Sequence, residues 1–160
     1  MRLGITGHQD LPQDVIAWIE RELRALIAEH APLVGVSSLA KGADQLFATC
    51  VLEAGQTLEA VLPCRDYADT FAEVDRTDYL ARLARASRTM TLDFGPPSEA
   101  AFLAAGEYLV RHVDHLVAVW DGGAAQGRGG TGDIVAYAIS HQIPVTVVWL
   151  PGGQREFHSS

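Results

Sequence analysis

The chain has 160 residues, enough for one domain that buries a full core without disulfide or metal staples. Hydrophobic residues make up 48% and charged residues 20%, which excludes a disordered chain. The net charge of -8 sets an expectation against general nucleic-acid binding, which draws on a basic surface, and no apolar run approaches the ~20 residues of a membrane span.

The opening Met1-Arg2-Leu3-Gly4-Ile5-Thr6-Gly7 lacks the apolar stretch of a signal peptide and reads as an unprocessed start. Two cysteines, Cys50 and Cys64, make no disulfide framework and point to a reducing cytoplasm. The histidines His8, His30, His112, His115, His141 and His158 show no zinc spacing, so no metal site is expected.

Short apolar runs alternate with longer amphipathic ones. Residues 3–6 read as a first strand. Leu11-Pro12 opens a helix to about His30, with Val15, Trp18, Ile19, Leu23, Leu26 and Ile27 at spacings of three and four. Residues 33–37 read as the second strand, 42–54 as a helix capped by Gly55, and 58–62 as the third strand. A charged helix is expected over 66–86 and a short edge strand over 89–92. After the break at Phe94-Gly95-Pro96-Pro97, Ser98 caps a helix to about His112. Residues 115–120 are apolar at nearly every position, as in a central strand. A glycine-rich loop over 121–130 leads to a helix over 131–141 and a last strand over 144–150. The expected product is one α/β domain over 1–151, a doubly wound Rossmann-like and mostly parallel sheet flanked by helices, with a flexible tail over 152–160.

In such sheets ligands bind where strands end at their carboxyl side. That rule selects Thr6-Gly7-His8-Gln9, the segment from Ser37-Ser38 through Lys41-Gly42-Ala43-Asp44, Arg65 with Tyr67, and Asp121 with the glycine loop. Gly129-Gly130-Thr131 opens a helix, where free N–H groups and the positive end of the helix dipole attract a phosphate. Neither GxxxxGK[ST] nor GxGxxG is present. For Asp44 a helix-start role stands beside a ligand role, and for Ser37 a turn-forming hydroxyl. His8 could donate to a ligand or act as acid or base, but as a lone loop histidine without a visible carboxylate partner it is weak evidence for catalysis. Trp18, Trp120 and Trp149 are expected in the core.

Ile5-Thr6-Gly7-His8, Ser37-Ser38-Leu39-Ala40-Lys41-Gly42-Ala43-Asp44 and Gly129-Gly130-Thr131 together resemble the SLOG superfamily. This Rossmann-like group includes the lysine-decarboxylase-like LOG proteins, the molybdenum-cofactor carriers and the DNA-processing protein DprA. The resemblance runs from Leu3 to about Pro151. It implies a nucleotide or nucleotide-derived ligand with its phosphate near the Gly-Gly-Thr turn. The LOG hydrolases follow that threonine with two glutamates and carry an Arg-Lys pair on the preceding helix. Here Gly132 and Asp133 follow, and Ala105-Gly106, then Glu107, stand where the pair would fall.

The expected function is therefore a cytoplasmic, sensor- or carrier-like bacterial protein for a small phosphorylated ligand, with no required cofactor. Its site would comprise Thr6, Gly7, His8, Ser37, Ser38, Lys41, Gly42, Asp44, Arg65, Tyr67, Asp121, Gly129, Gly130 and Thr131. The alternatives are a nucleoside-monophosphate N-glycosidase using Asp133 or Glu107 as its carboxylate, and an oligomeric scaffold without ligand. Self-association is expected from the resemblance.

Overall fold

The structure, a computed structural model, describes residues 1–123, 130–149 and, in its backbone, 153–157. Strands β1 (Arg2–Gly7), β2 (Val34–Ser37), β3 (Thr57–Leu62), β4 (Arg88–Thr91), β5 (His115–Val119), β6 (Val145–Trp149) and β7 (Gly153–Phe157) form one sheet. Between them run α1 (Gln13–His30), α2 (Ala43–Glu53), α3 (Glu73–Ala84), α4 (Glu99–Arg111) and α5 (Thr131–Ser140). The strand order is β4-β3-β2-β1-β5-β6-β7, with every pair parallel except the last. The chain winds outward from β1 to β4, then returns to the other side of β1 with β5. That reversal opens a crevice between the carboxyl ends of β1 and β5.

The two faces of β5 show why the sheet is sandwiched. All five of its residues are buried. Val117 and Val119 join a core with Ile19, Leu23 and Ile27 of α1 and Phe47 and Val51 of α2. Leu116 and Ala118 join a second core with Leu109 and Val110 of α4 and Ile134 and Ala138 of α5. The period-two alternation of a strand thus divides one apolar run between two helical layers. At the opposite extreme, all four residues of β4 are exposed, as suits an edge.

Two expectations need correction. The helix expected over 66–86 is interrupted: Tyr67–Thr70 form a 3-10 turn, Phe71 and Ala72 are extended, and α3 starts at Glu73. Arg76 stabilises this break by donating to the carbonyls of Ala68 at 3.0 Å and Phe71 at 3.4 Å. Burial of Tyr67 and its edge-on packing against Phe71 and Tyr79 favour the tighter turn over a continuous helix. The tail expected to lack structure over 152–160 instead contributes β7, paired antiparallel to β6 from Trp149↔Gly153 to Val145↔Phe157. Backbone pairing along an open edge requires no amphipathic pattern, so the sequence gives no sign of it.

Candidate functional site

The carboxyl ends of β1, β2, β3 and β5 surround one cleft of about 1120 Å³. Thr6, Gly7 and His8 come from the end of β1. Ser38, Lys41 and Asp44 come from the loop after β2 and the first turn of α2. Tyr67 comes from the 3-10 turn, Asp121 from the end of β5, and Gly130 and Thr131 from the start of α5. Ten of the sequence-selected residues therefore share one wall-to-wall space.

Four selected residues serve the frame of the cleft or lie away from it. Ser37 is fully buried; its Oγ accepts from Leu39 N–H at 3.0 Å and donates to the Asp44 carbonyl at 3.2 Å. It closes the turn rather than facing a ligand. Gly42 has φ +85°, and a Cβ there would lie 2.3 Å from the Gln9 carbonyl oxygen and 2.6 Å from that of His8. The glycine is required because two backbone segments meet at that point. Arg65 is exposed and does not line the cleft. Gly129 lies outside the described residues. Of the proposed hydrolytic carboxylates, Asp133 is exposed and Glu107 half-buried, and neither lines the cleft.

α5 meets the cleft with its N-terminus. Gly130 is the N-cap and supplies no side-chain cap. The first bonds of the helix run from Asp133 and Ile134 N–H to the Gly130 carbonyl, at 3.1 and 3.3 Å. The N–H groups of Thr131 and Gly132 take no backbone acceptor among the described residues. They point along the dipole toward whatever occupies the space ahead of the helix. Thr131 is buried and adds its hydroxyl to the same rim.

His8 and Asp121 are 113 positions apart and are brought together by the pairing of β1 with β5. The His8 Nε2 lies 3.2 Å from Asp121 Oδ1 and 3.2 Å from the Asp121 backbone nitrogen. A neutral ring with its proton on Nδ1 accepts the backbone N–H. A ring protonated at Nε2 donates to the carboxylate instead, so each protonation state uses one contact. The Asp121 carboxyl is held below its usual range, first by the Gly123 N–H donating to it at 2.8 Å and then by the charge of His8. The His8 ring also meets Trp149 edge-on at 5.4 Å. Trp18, Trp120 and Trp149, expected in the core, are half-buried and pack against it, and Trp120 and Trp149 also line the cleft.

Asp44 is strongly perturbed by its place in the site. It is 8% exposed, and burial pushes its carboxyl up to about 7 despite one stabilising bond from the Ala40 N–H at 3.3 Å. Tyr67 faces it, and its hydroxyl is held well above its usual range by burial and by the Asp44 charge. Lys41 is engaged elsewhere, with its Nζ 2.9 Å from Asp10 Oδ1, which raises its own pKa. Asp10, Asp75, Glu99 and Asp121 also border the space, so the cleft is rich in hydrogen-bond acceptors. Sequence reasoning did not select Phe71, Asp75, Glu99 or Phe102; the extended link before α3 brings Phe71 to the cleft, α3 brings Asp75, and α4 brings Glu99 and Phe102. No group of three or more metal-binding side chains is assembled among the described residues.

Solved structures share this architecture. DprA from Streptococcus pneumoniae superposes with TM-score 0.67 at 18% identity, over 94% of this chain and 50% of that protein. The DprA of Helicobacter pylori, which binds single-stranded DNA, superposes with TM-score 0.68 at 16% identity, over 94% of this chain and 66% of that one. The chain shares their α/β, Rossmann-like fold. The molybdenum-cofactor binding protein of Rippkaea orientalis has it too, with TM-score 0.60 at 17% identity, over 92% of this chain and 75% of that one. The chain spans half the length of the Streptococcus protein and about two thirds of the Helicobacter one. A scan against protein-family models finds no match, and a search of curated proteins finds none.

The expectation that charge excludes nucleic acid does not stand, because the same fold serves a DprA that binds single-stranded DNA. Net charge sums over the whole surface, whereas a helix N-terminus or an aromatic face acts locally. No helix among the described residues is long and apolar enough to cross a membrane.

Proposed function

We propose that the protein binds a nucleotide-type ligand in this cleft, with a phosphate on the N-terminus of α5. The observation carrying the reading is a helix start without a side-chain cap, opening into the cleft at the point where the sheet reverses direction. Gly130 and Thr131 would hold the phosphate, with Gly129 beside them in the sequence. Thr6, Gly7, His8, Ser38 and Lys41 would line its path, and Asp121 would accept from a ribose hydroxyl. Asp44 and Tyr67 lie at the base of the space. The same phosphate and base chemistry is offered by a free nucleotide and by a nucleotide unit of single-stranded DNA, whereas the ribose hydroxyl is offered by the free nucleotide.

Isothermal titration with a panel of nucleoside monophosphates tests this. Binding is expected for the wild type and a loss of at least tenfold for Gly130→Asp, which sets a carboxylate where the phosphate would sit. Equal affinities of the two proteins would refute the phosphate assignment.

A further inference from the structure

The base of the cleft holds a carboxyl group that the fold leaves incompletely partnered. Asp44 borders the cleft and is more than nine-tenths buried. Its Oδ2 accepts from Ala40 N–H at 3.3 Å, beyond the usual range for such a bond. No second donor reaches the carboxyl among the described residues. No fully buried side-chain oxygen or nitrogen lacks a partner among them, so the spare oxygen is open to the cleft rather than sealed in the core. The cation nearest in sequence, Lys41, is committed to Asp10. Buried polar groups in native proteins are nearly always paired, and this one has its open side toward a ligand space.

The wall beside it is aromatic. Tyr67 meets Phe71 at 5.0 Å and Phe102 at 6.2 Å between ring centroids, both edge-on. Phe71 and Phe102 line the cleft, and Phe102 is 37% exposed, a large apolar ring that the fold does not cover. Such a wall suits a planar heterocycle.

We infer that Asp44 reads the Watson–Crick edge of a guanine-type base, its two oxygens accepting the adjacent N1–H and 2-amino N–H while the ring packs against Phe71 and Phe102. This rests on the nucleotide reading above. An ionised carboxylate is acceptor-only, and two acceptors side by side match two donors side by side. Among the common bases guanine alone presents that pair. Adenine and cytosine set a donor next to an acceptor, and uracil and thymine set one donor between two acceptors. The acceptor-rich rim points the same way. The proton that Asp44 sheds on engaging guanine goes to solvent, at little cost near neutral pH because burial already places its ionisation there.

Titration of the full chain with GMP, IMP, AMP, guanosine and adenosine tests the inference. IMP keeps N1–H and lacks the 2-amino group. GMP is expected to bind at least tenfold more tightly than AMP, with IMP between them, and guanosine to keep its advantage over adenosine. Asp44→Asn offers one acceptor and one donor, and is expected to erase or reverse the preference. Equal binding of GMP and AMP, or a ratio unchanged in Asp44→Asn, would overturn the assignment. The comparison of IMP with GMP on the wild type stands even if the variant misfolds. If nucleotides bind without base preference and lose affinity in Gly130→Asp, the base reading falls and the phosphate reading stands. If guanosine is discriminated and a phosphate adds nothing, the reverse holds, and if no probe binds, both fall. Short single strands of dG against dA identify the source: a dG preference in strands larger than that of GMP over AMP assigns the site to single-stranded DNA, and one no larger assigns it to a free nucleotide.

Discussion

Replacing Asp44 by Asn should change how stability depends on pH, and the size of the effect follows from its burial. The carboxyl ionises near 3.8 when unfolded and at about 7 when folded. Between those values the folded state keeps a proton that the unfolded state has lost. Stability therefore falls as pH rises from about 4, and the loss is complete above about 7. Most of two units of that shift remain to be lost between ~pH 5 and ~pH 8, which is about 2–3 kcal/mol. For a chain of this length that is roughly 5–10 °C in melting temperature. Asn keeps an acceptor for the Ala40 N–H and cannot ionise. The melting temperature of Asp44→Asn relative to wild type, followed by circular dichroism, should rise by that amount between the two pH values. A difference between the proteins that does not move with pH would refute a buried, titrating carboxyl at this position.

Gly42→Ala should cost at least about 2–3 kcal/mol, since it combines a backbone conformation restricted to glycine with a clash against two carbonyl oxygens; urea denaturation would show a lower midpoint, and an unchanged midpoint would refute the close approach. Ser98→Ala should cost about 1 kcal/mol by removing the acceptor that Ala101 N–H uses at 3.0 Å, with no effect on ligand affinity. The same denaturation series and titrations measure both.

Local pattern made most of the frame legible. The apolar spacing of α1, the continuous apolar run of β5 and the Ser98 cap each depend on residues within a few positions of one another. The strand-end rule then selected a cleft lined by residues from five segments. What the sequence concealed depends on long-range approach. His8 acquires Asp121 as a partner only because β1 and β5 are neighbours. For Ser37 and Asp44 the sequence left a structural role open beside a ligand role, and the structure separates them: the Ser37 hydroxyl is spent inside the turn and the Asp44 carboxyl is left open. Phe71 and Phe102 read as ordinary apolar positions of a helical stretch. Their place in the cleft depends on the break before α3 and on how α4 crosses the sheet.

The loops around the cleft are also joined to one another through the main chain. The His8 N–H donates to the Val119 carbonyl at 3.1 Å, and the His8 carbonyl accepts from Ala43 N–H at 3.1 Å. One residue thus ties the ends of β1 and β5 to the start of α2. Three of the cleft's segments are braced before any ligand arrives, so little ordering entropy is left to lose there on association. Occupancy at one segment would slow amide exchange at the other two without a hinge or a closing lid.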